Sequence, residues 1–107
     1  MRRPKANDLV ETLRRNYVPV FLAYVGQRSE SALRSAYELG RNAIRDELSV
    51  LDLVQIHHTV LLDVLKEART TEDLEDVATA ACTFLVEVLA TFDMAQRALI
   101  EALRQRS

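Results

Sequence analysis

Two adjacent histidines, His57 and His58, have the side chains best suited to chemistry in this sequence. A helical histidine can accept a phosphoryl group or, with a second ligand three or four residues away, bind a metal ion. The four residues after His58 are a threonine and three aliphatic residues, and Asp63 lies five positions on, off that face. The spacing therefore predicts no metal site.

The apolar neighbours of His57 favour a structural role. It is in register with Leu53, Ile56 and Leu61, so we expect it to be buried beside a hydrogen-bond partner while His58 points outward. A histidine phosphotransfer domain is a less favoured alternative. Such domains place Lys and Gly just after the phosphoacceptor, and neither residue type follows these histidines here.

No other residues form a recognisable catalytic or cofactor site. Gly26 and Gly40 stand alone, so there is no glycine-rich loop for phosphates, and no Ser-His-Asp or Cys-His arrangement can be assembled from helix faces. The acids among residues 72–76 suit the positive end of a helix dipole better than acid–base catalysis. We therefore expect no enzymatic activity, metal, cofactor or small-molecule substrate.

The composition favours one helical domain over residues 1–107. Apolar residues make up 49% of the chain, and it contains only two Gly and two Pro, as in long-helix proteins. The net charge of −2 lacks the excess of basic residues that nucleic-acid binding needs. Nucleic acid is therefore not an expected partner.

Cys82 is the only cysteine, which excludes an intramolecular disulfide and a cysteine-based zinc site. Its apolar neighbours predict a small buried hydrophobe. The sequence begins without the apolar stretch of a secretory signal, and no apolar run reaches the roughly 20 residues that span a bilayer. We therefore expect a soluble, cytoplasmic protein with no membrane partner.

Apolar residues at helical spacing predict four helices. The first spans about 7–25 and begins at an Asn-Asp pair suited to capping. Because of Pro19, it is either kinked near residues 16–18 or restarted with Pro19 in its first turn. The second spans about 29–47 and begins at Ser29 or Ser31. Its stripe of mostly small residues permits close approach by another helix.

Capping signals also define the last two helices. Ser49 and Asp52 form a capping box that opens the third, which ends near Ala68. The fourth starts at Thr70-Thr71 followed by two acids, meets no breaker, and can run about 35 residues or about 50 Å. The sequence therefore predicts an all-α four-helix bundle with a long C-terminal helix that projects beyond it.

The fourth helix carries more apolar surface than one bundle hides. Its main stripe has the alternating spacing of a coiled-coil seam over about four heptads: Ala78, Ala81, Leu85, Val88, Phe92, Ala95, Leu99 and Ala102. A second stripe lies beside it: Cys82, Val86, Leu89, Ile100 and Leu103. We expect a second copy to cover the excess, giving a homodimer through helices with this dimer seam: Ala81, Leu85, Val88, Phe92, Ala95 and Leu99.

Two segments resemble the N-terminal domain of RsbU-type phosphatases. One is residues 53–61, which contain Ile56-His57, and the other is residues 84–88 followed by Phe92-Asp93-Met94-Ala95. The resemblance extends from the second helix through the heptad seam. It implies a four-helix dimeric domain that a helical linker joins to a PP2C-type serine phosphatase, in partner switching for stress sigma factors. No phosphatase residue can be placed on this chain.

The resemblance also implies a partner. A regulator of the RsbT type, related to the GHKL kinases, docks on the second and fourth helices of such domains and activates the phosphatase. Glu30 and Val86 occupy the corresponding positions here, and Arg34 faces the same way as Glu30 but replaces an aromatic residue of the family. A plain oligomerisation module without a regulated partner is the main alternative.

Overall fold

The computed structural model describes residues 6–106, and within this range the chain forms four α-helices and no strand. They are α1 (Ala6–Gly26), α2 (Glu30–Arg45), α3 (Val50–Leu65) and α4 (Thr71–Arg106). The bundle measures 55 × 29 × 21 Å, and α4, with its 36 residues, accounts for the long axis. The predicted all-α four-helix bundle with a long last helix is confirmed.

Side-chain caps begin three of the helices. Ser29 Oγ accepts the backbone N–H three residues on, at 3.1 Å, so Ser29 and not Ser31 caps α2. Ser49 and Asp52 form the predicted capping box, with hydrogen bonds of 3.2 and 3.0 Å. Thr70 Oγ1 accepts the N–H three residues on, at 3.0 Å. The predicted starts of α2, α3 and α4 are therefore confirmed.

The first helix runs without interruption through Pro19. Proline donates no hydrogen bond, and the carbonyl left without a helical partner belongs to Arg15, whose exposed position lets water satisfy it. The predicted restart at Pro19 is therefore wrong. The prediction that Asn7 or Asp8 is the N-cap of α1 is also wrong, because α1 includes Ala6 and has both residues in its first turn.

The end of α2 lies at Arg45, two residues before the predicted end, because the backbone is left-handed at Glu47, where φ is 59°. The N–H groups of Glu47 and Leu48 donate to the carbonyls of Ile44 and Ala43, at 3.0 and 2.9 Å. This is the Schellman arrangement, and the buried Leu48 anchors it. Glycine usually takes this conformation, so a glutamate provided no stop signal in the sequence.

The two long helices α1 and α4 form the centre of the bundle, and α2 and α3 flank them. Both outer helices pack on both central ones, but they have no substantial contact with each other. The side chain of Arg28 donates to the Asp76 carbonyl at one end, while Gly40 meets Val88 further along, so α2 and α4 run in the same direction. α2 and α3 each pack against α4 without substantial contact with each other.

An aromatic cluster joins α1 to α4 in the core. Tyr17, Phe21 and Phe84 are fully buried, and the first two rings lie edge-on to Phe84 with centroids 5.2 and 5.3 Å away. On the other side, α2 approaches α4 so closely that a Cβ on Gly40 would lie 2.5 Å from the carbonyl oxygen of Val88. The close approach predicted from the small residues of α2 is confirmed.

The hydropathy of α4 differs from expectation. An 18-residue window in this helix has a mean hydropathy of 1.6, so by length and composition alone it is long and apolar enough to cross a bilayer. The sequence still has no unbroken apolar run of about 20 residues, because Glu87 and Asp93 interrupt the apolar part of this helix. A third of the window is buried in the bundle, and core helices pass the same test.

Candidate partner-binding site

A groove of about 520 Å³ runs along α2 where it meets α4. The α2 residues that line it recur at spacings of three and four, so they share one helix face over about two turns. The lining side chains are Glu30, Leu33, Arg34, Tyr37 and Glu38 of α2, with Glu87 of α4. Two residues predicted to bind a partner, Glu30 and Arg34, therefore lie together in one concavity.

Three carboxylates and one guanidinium line this groove. Glu30, Arg34 and Glu38 are exposed and Glu87 is half-buried, and none of the four forms an ion pair with another residue in the range 6–106. Like charges around a concave surface reinforce one another's potential. The groove is therefore negative overall and suits a cationic group. Nowhere in the described range are three His, Cys, Asp or Glu side chains arranged to hold a metal ion.

Val86, the third residue predicted to bind a partner, does not line the groove. It precedes Glu87 on α4 and so points about 100° away around the helix. Its side chain is 60% exposed, so it is not part of the core of the single chain. A partner that reaches Val86 as well as Glu30 would have to wrap around α4.

The structure divides the predicted dimer seam of α4. Ala81, Val88 and Phe92 are buried in the core of the same chain. Leu85 and Ala95 are half-buried, and Leu99 is exposed. Buried side chains cannot contact a second copy while the bundle stays closed. The seam is corrected at Ala81, Val88 and Phe92, because packing within the chain already covers them.

The second apolar stripe of α4 is the one that faces solvent. Val86, Ile100 and Leu103 are exposed, Cys82 is exposed and Leu89 is half-buried. The expected burial of Cys82 is therefore wrong. α4 has apolar residues on two faces, and only the face that contains Phe84 and Val88 packs into the bundle. Cys82 lies on the other face, which is exposed to solvent.

His57 lies where the sequence predicted, inside the core with a polar partner. It is 6% exposed, and its Nδ1 is 2.7 Å from the hydroxyl oxygen of Tyr17. We assign Tyr17 as the donor, because its buried hydroxyl proton needs an acceptor. Burial and then the nearby His58 lower the pKa of His57, while burial raises that of Tyr17. Both stay neutral near pH 7, and His58 is exposed as predicted.

We expect the free energy of unfolding to fall as the pH drops below about 6.5, the ordinary pKa of histidine. The pKa of His57 is lower in the folded chain, so the unfolded chain takes up the proton first and gains stability from it. The contribution of neutral His57 to the free energy of unfolding is complete above about pH 6.5 and is lost as the pH falls through the pKa of His57 in the folded chain. Urea titrations at about pH 7.5 and pH 5.5 measure it. His57→Gln should remove most of the loss, and His58→Gln should keep the larger part of it because burial is the main cause of the lowered pKa. Equal losses in both variants would contradict the prediction.

The groove residues that sequence reasoning missed are Leu33, Tyr37, Glu38 and Glu87. The three on α2 share the helix face of Glu30, so their spacing was a usable signal. Glu87 offered none, because only the packing of α4 beside α2 brings it to the groove.

A four-helix bundle with an open, charged groove between two helices has the architecture of a helical interaction domain. Comparison with protein families is more specific: the family described as phosphoserine phosphatase RsbU, N-terminal domain, matches residues 15–95. This covers most of the chain, which therefore belongs to that family, as the resemblance predicted. No curated protein and no solved structure matches the chain.

Proposed function

We propose that this chain is a non-catalytic, dimeric regulatory domain. It binds an RsbT-like switch protein of the GHKL type and so controls a PP2C-type serine phosphatase, attached or separate, in stress-response partner switching in the cytoplasm. The family match over residues 15–95 is the observation that carries the proposal. The groove containing Glu30 and Arg34 supports it as a docking site, since both side chains are accessible there.

The long helix offers a route from the docking site to the phosphatase. Glu87 of α4 lines the groove, and residues 96–106 of the same helix are exposed beyond the core. A regulator bound at the groove therefore touches the helix that projects from the bundle. Regulation requires that the helix have two discrete arrangements and that the regulator favour one of them.

We propose that the homodimer forms through the solvent-facing stripe of α4. Val86 and Ile100 are 60% and 45% exposed on this stripe, and Leu99 beside it is 52% exposed. Asp93 and Gln96 interrupt the stripe, and exposed apolar side chains on both sides of this gap mark an interaction surface. A second copy that places its own stripe here would cover both sets of side chains by two-fold symmetry.

A pull-down with a GHKL-type regulator encoded by the same genome tests the proposed function. The full chain should retain the regulator, and Glu30→Lys should weaken retention about tenfold, since it reverses a charge at the docking surface. Glu75→Lys makes the same charge change on exposed α4 surface outside the groove and should have little effect. If the intact dimer retains no such regulator, the proposal fails.

A further inference from the structure

The third helix is apolar on its outward face as well as on the face that enters the core. Leu51 is 69% exposed near its start, and Val54 and Leu62 are also exposed. Leu65 continues this line at the end of α3 and is half-buried. A helix that is apolar on two faces is usually covered on both, so the outward face of α3 marks an interaction surface.

The apolar residues of this face are arranged symmetrically about His58, which is exposed. Val54 and Leu62 lie four positions on either side of His58, and Leu51 and Leu65 lie seven positions on either side. All four lie within about 40° of His58 around the helix. Two antiparallel copies of such a helix fit one another, because Val54 of one copy meets Leu62 of the other and the two His58 side chains meet at the centre.

The charges beside this line favour the same antiparallel arrangement. Asp52 lies near the start of α3, and Lys66 follows its end on the same flank with a side chain that is 74% exposed. An antiparallel pair places Lys66 of one copy close to Asp52 of the other, whereas a parallel pair places like charges together. The ion pair of Lys66 with Asp63, at 3.7 Å, is exposed and therefore weak, so it leaves Lys66 able to bind a second carboxylate.

We propose that α3 forms a second contact between copies of this chain, antiparallel and centred on His58. The face is about 21 Å long, so the contact covers less than about 1,200 Å² and is weak, without effect at micromolar concentration. It shares no residue with the groove of α2 and α4 or with the solvent-facing stripe of α4, so it can join the proposed dimers to one another. The inference goes beyond the proposed function, because the contact requires no regulator.

Disulfide trapping tests the contact, because it captures weak complexes. Cys82 is first replaced by serine, so that each variant has one introduced thiol. His58→Cys lies on the proposed two-fold axis, and at a protein concentration of about 0.5 mM it should link two copies at least about tenfold faster than the control does. The control is Ser31→Cys, which is an exposed position on α2 and reports random collisions.

A second pair of positions tests the direction of the two helices. Antiparallel packing places Val54 of one copy beside Leu62 of the other, whereas the two Val54 residues lie about 12 Å apart along the helices, beyond the reach of a disulfide. Val54→Cys mixed with isotope-labelled Leu62→Cys should therefore give the mixed disulfide at least about tenfold faster than Val54→Cys links to itself. Mass spectrometry separates the two products.

Three results would overturn the inference. His58→Cys could link no faster than Ser31→Cys, or Val54→Cys could link to itself as fast as to Leu62→Cys. The linkage at His58→Cys could also disappear when Leu99→Asp and Ile100→Asp are added, which would assign it to the dimer through α4. A chain that binds a regulator without this linkage would reject the inference alone, and a chain that shows the linkage without binding a regulator would reject the proposed function alone.

Discussion

Phe84→Ala should lower the free energy of unfolding by about 3–5 kcal/mol, a large part of the 5–15 kcal/mol typical of small domains. Phe84 is fully buried, and its ring meets Tyr17, Phe21 and Tyr24 at centroid distances of 5.2, 5.3 and 5.9 Å. Truncation would remove the ring that ties α4 to α1 and leave a cavity in a close-packed core. Urea denaturation at one fixed protein concentration measures the loss.

Met94→Ala is the matched control on the same helix. Met94 is 62% exposed, so its truncation should change stability by no more than about 0.5 kcal/mol. Similar losses for the two variants would mean that the aromatic cluster is not the centre of the core.

Leu99→Asp combined with Ile100→Asp should convert the proposed dimer into a monomer, weakening association more than about a hundredfold. Both residues are about half exposed on the projecting part of α4, where a second copy would cover them. A carboxylate buried in an apolar interface without a partner loses its hydration, and symmetry repeats each change on both chains. Sedimentation at micromolar concentration should change from about twice the 12.2 kDa chain mass to that mass.

Thr83→Asp combined with Gln105→Asp adds the same two charges to exposed positions of α4 that point away from the stripe. This control should stay dimeric, and circular dichroism should show that both variants keep their helices. If the wild-type chain sediments only as a 12.2 kDa monomer, the proposed homodimer itself is contradicted.

Local chemistry made the helix starts predictable. A capping hydroxyl accepts an N–H only two or three residues away, so the sequence identified Ser49 as a cap and placed the other two caps at Ser29 or Ser31 and at Thr70-Thr71. The end of α2 was not predictable in this way. Its left-handed residue is Glu47, and tertiary packing of the neighbouring Leu48 holds that conformation in place of a glycine.

The burial of His57 was also predictable from residues close to it in the sequence. Its register with Leu53 and Ile56 placed it on the inward face, but only the fold showed that Tyr17, 40 positions away, is its partner. The position of Cys82 was misjudged, because α4 is apolar on two faces and the bundle covers one of them.

The sequence by itself determined the helices, the family and the surplus of apolar surface on α4, because caps, periodicity and motifs depend on residues close together in the chain. Only the tertiary structure decided which stripe of α4 enters the core. Phe92 and Ile100 are equally apolar, yet packing against other helices buries the first and leaves the second exposed. It also decided that Glu87 joins Glu30 in one groove, since that contact requires α2 to pack beside α4.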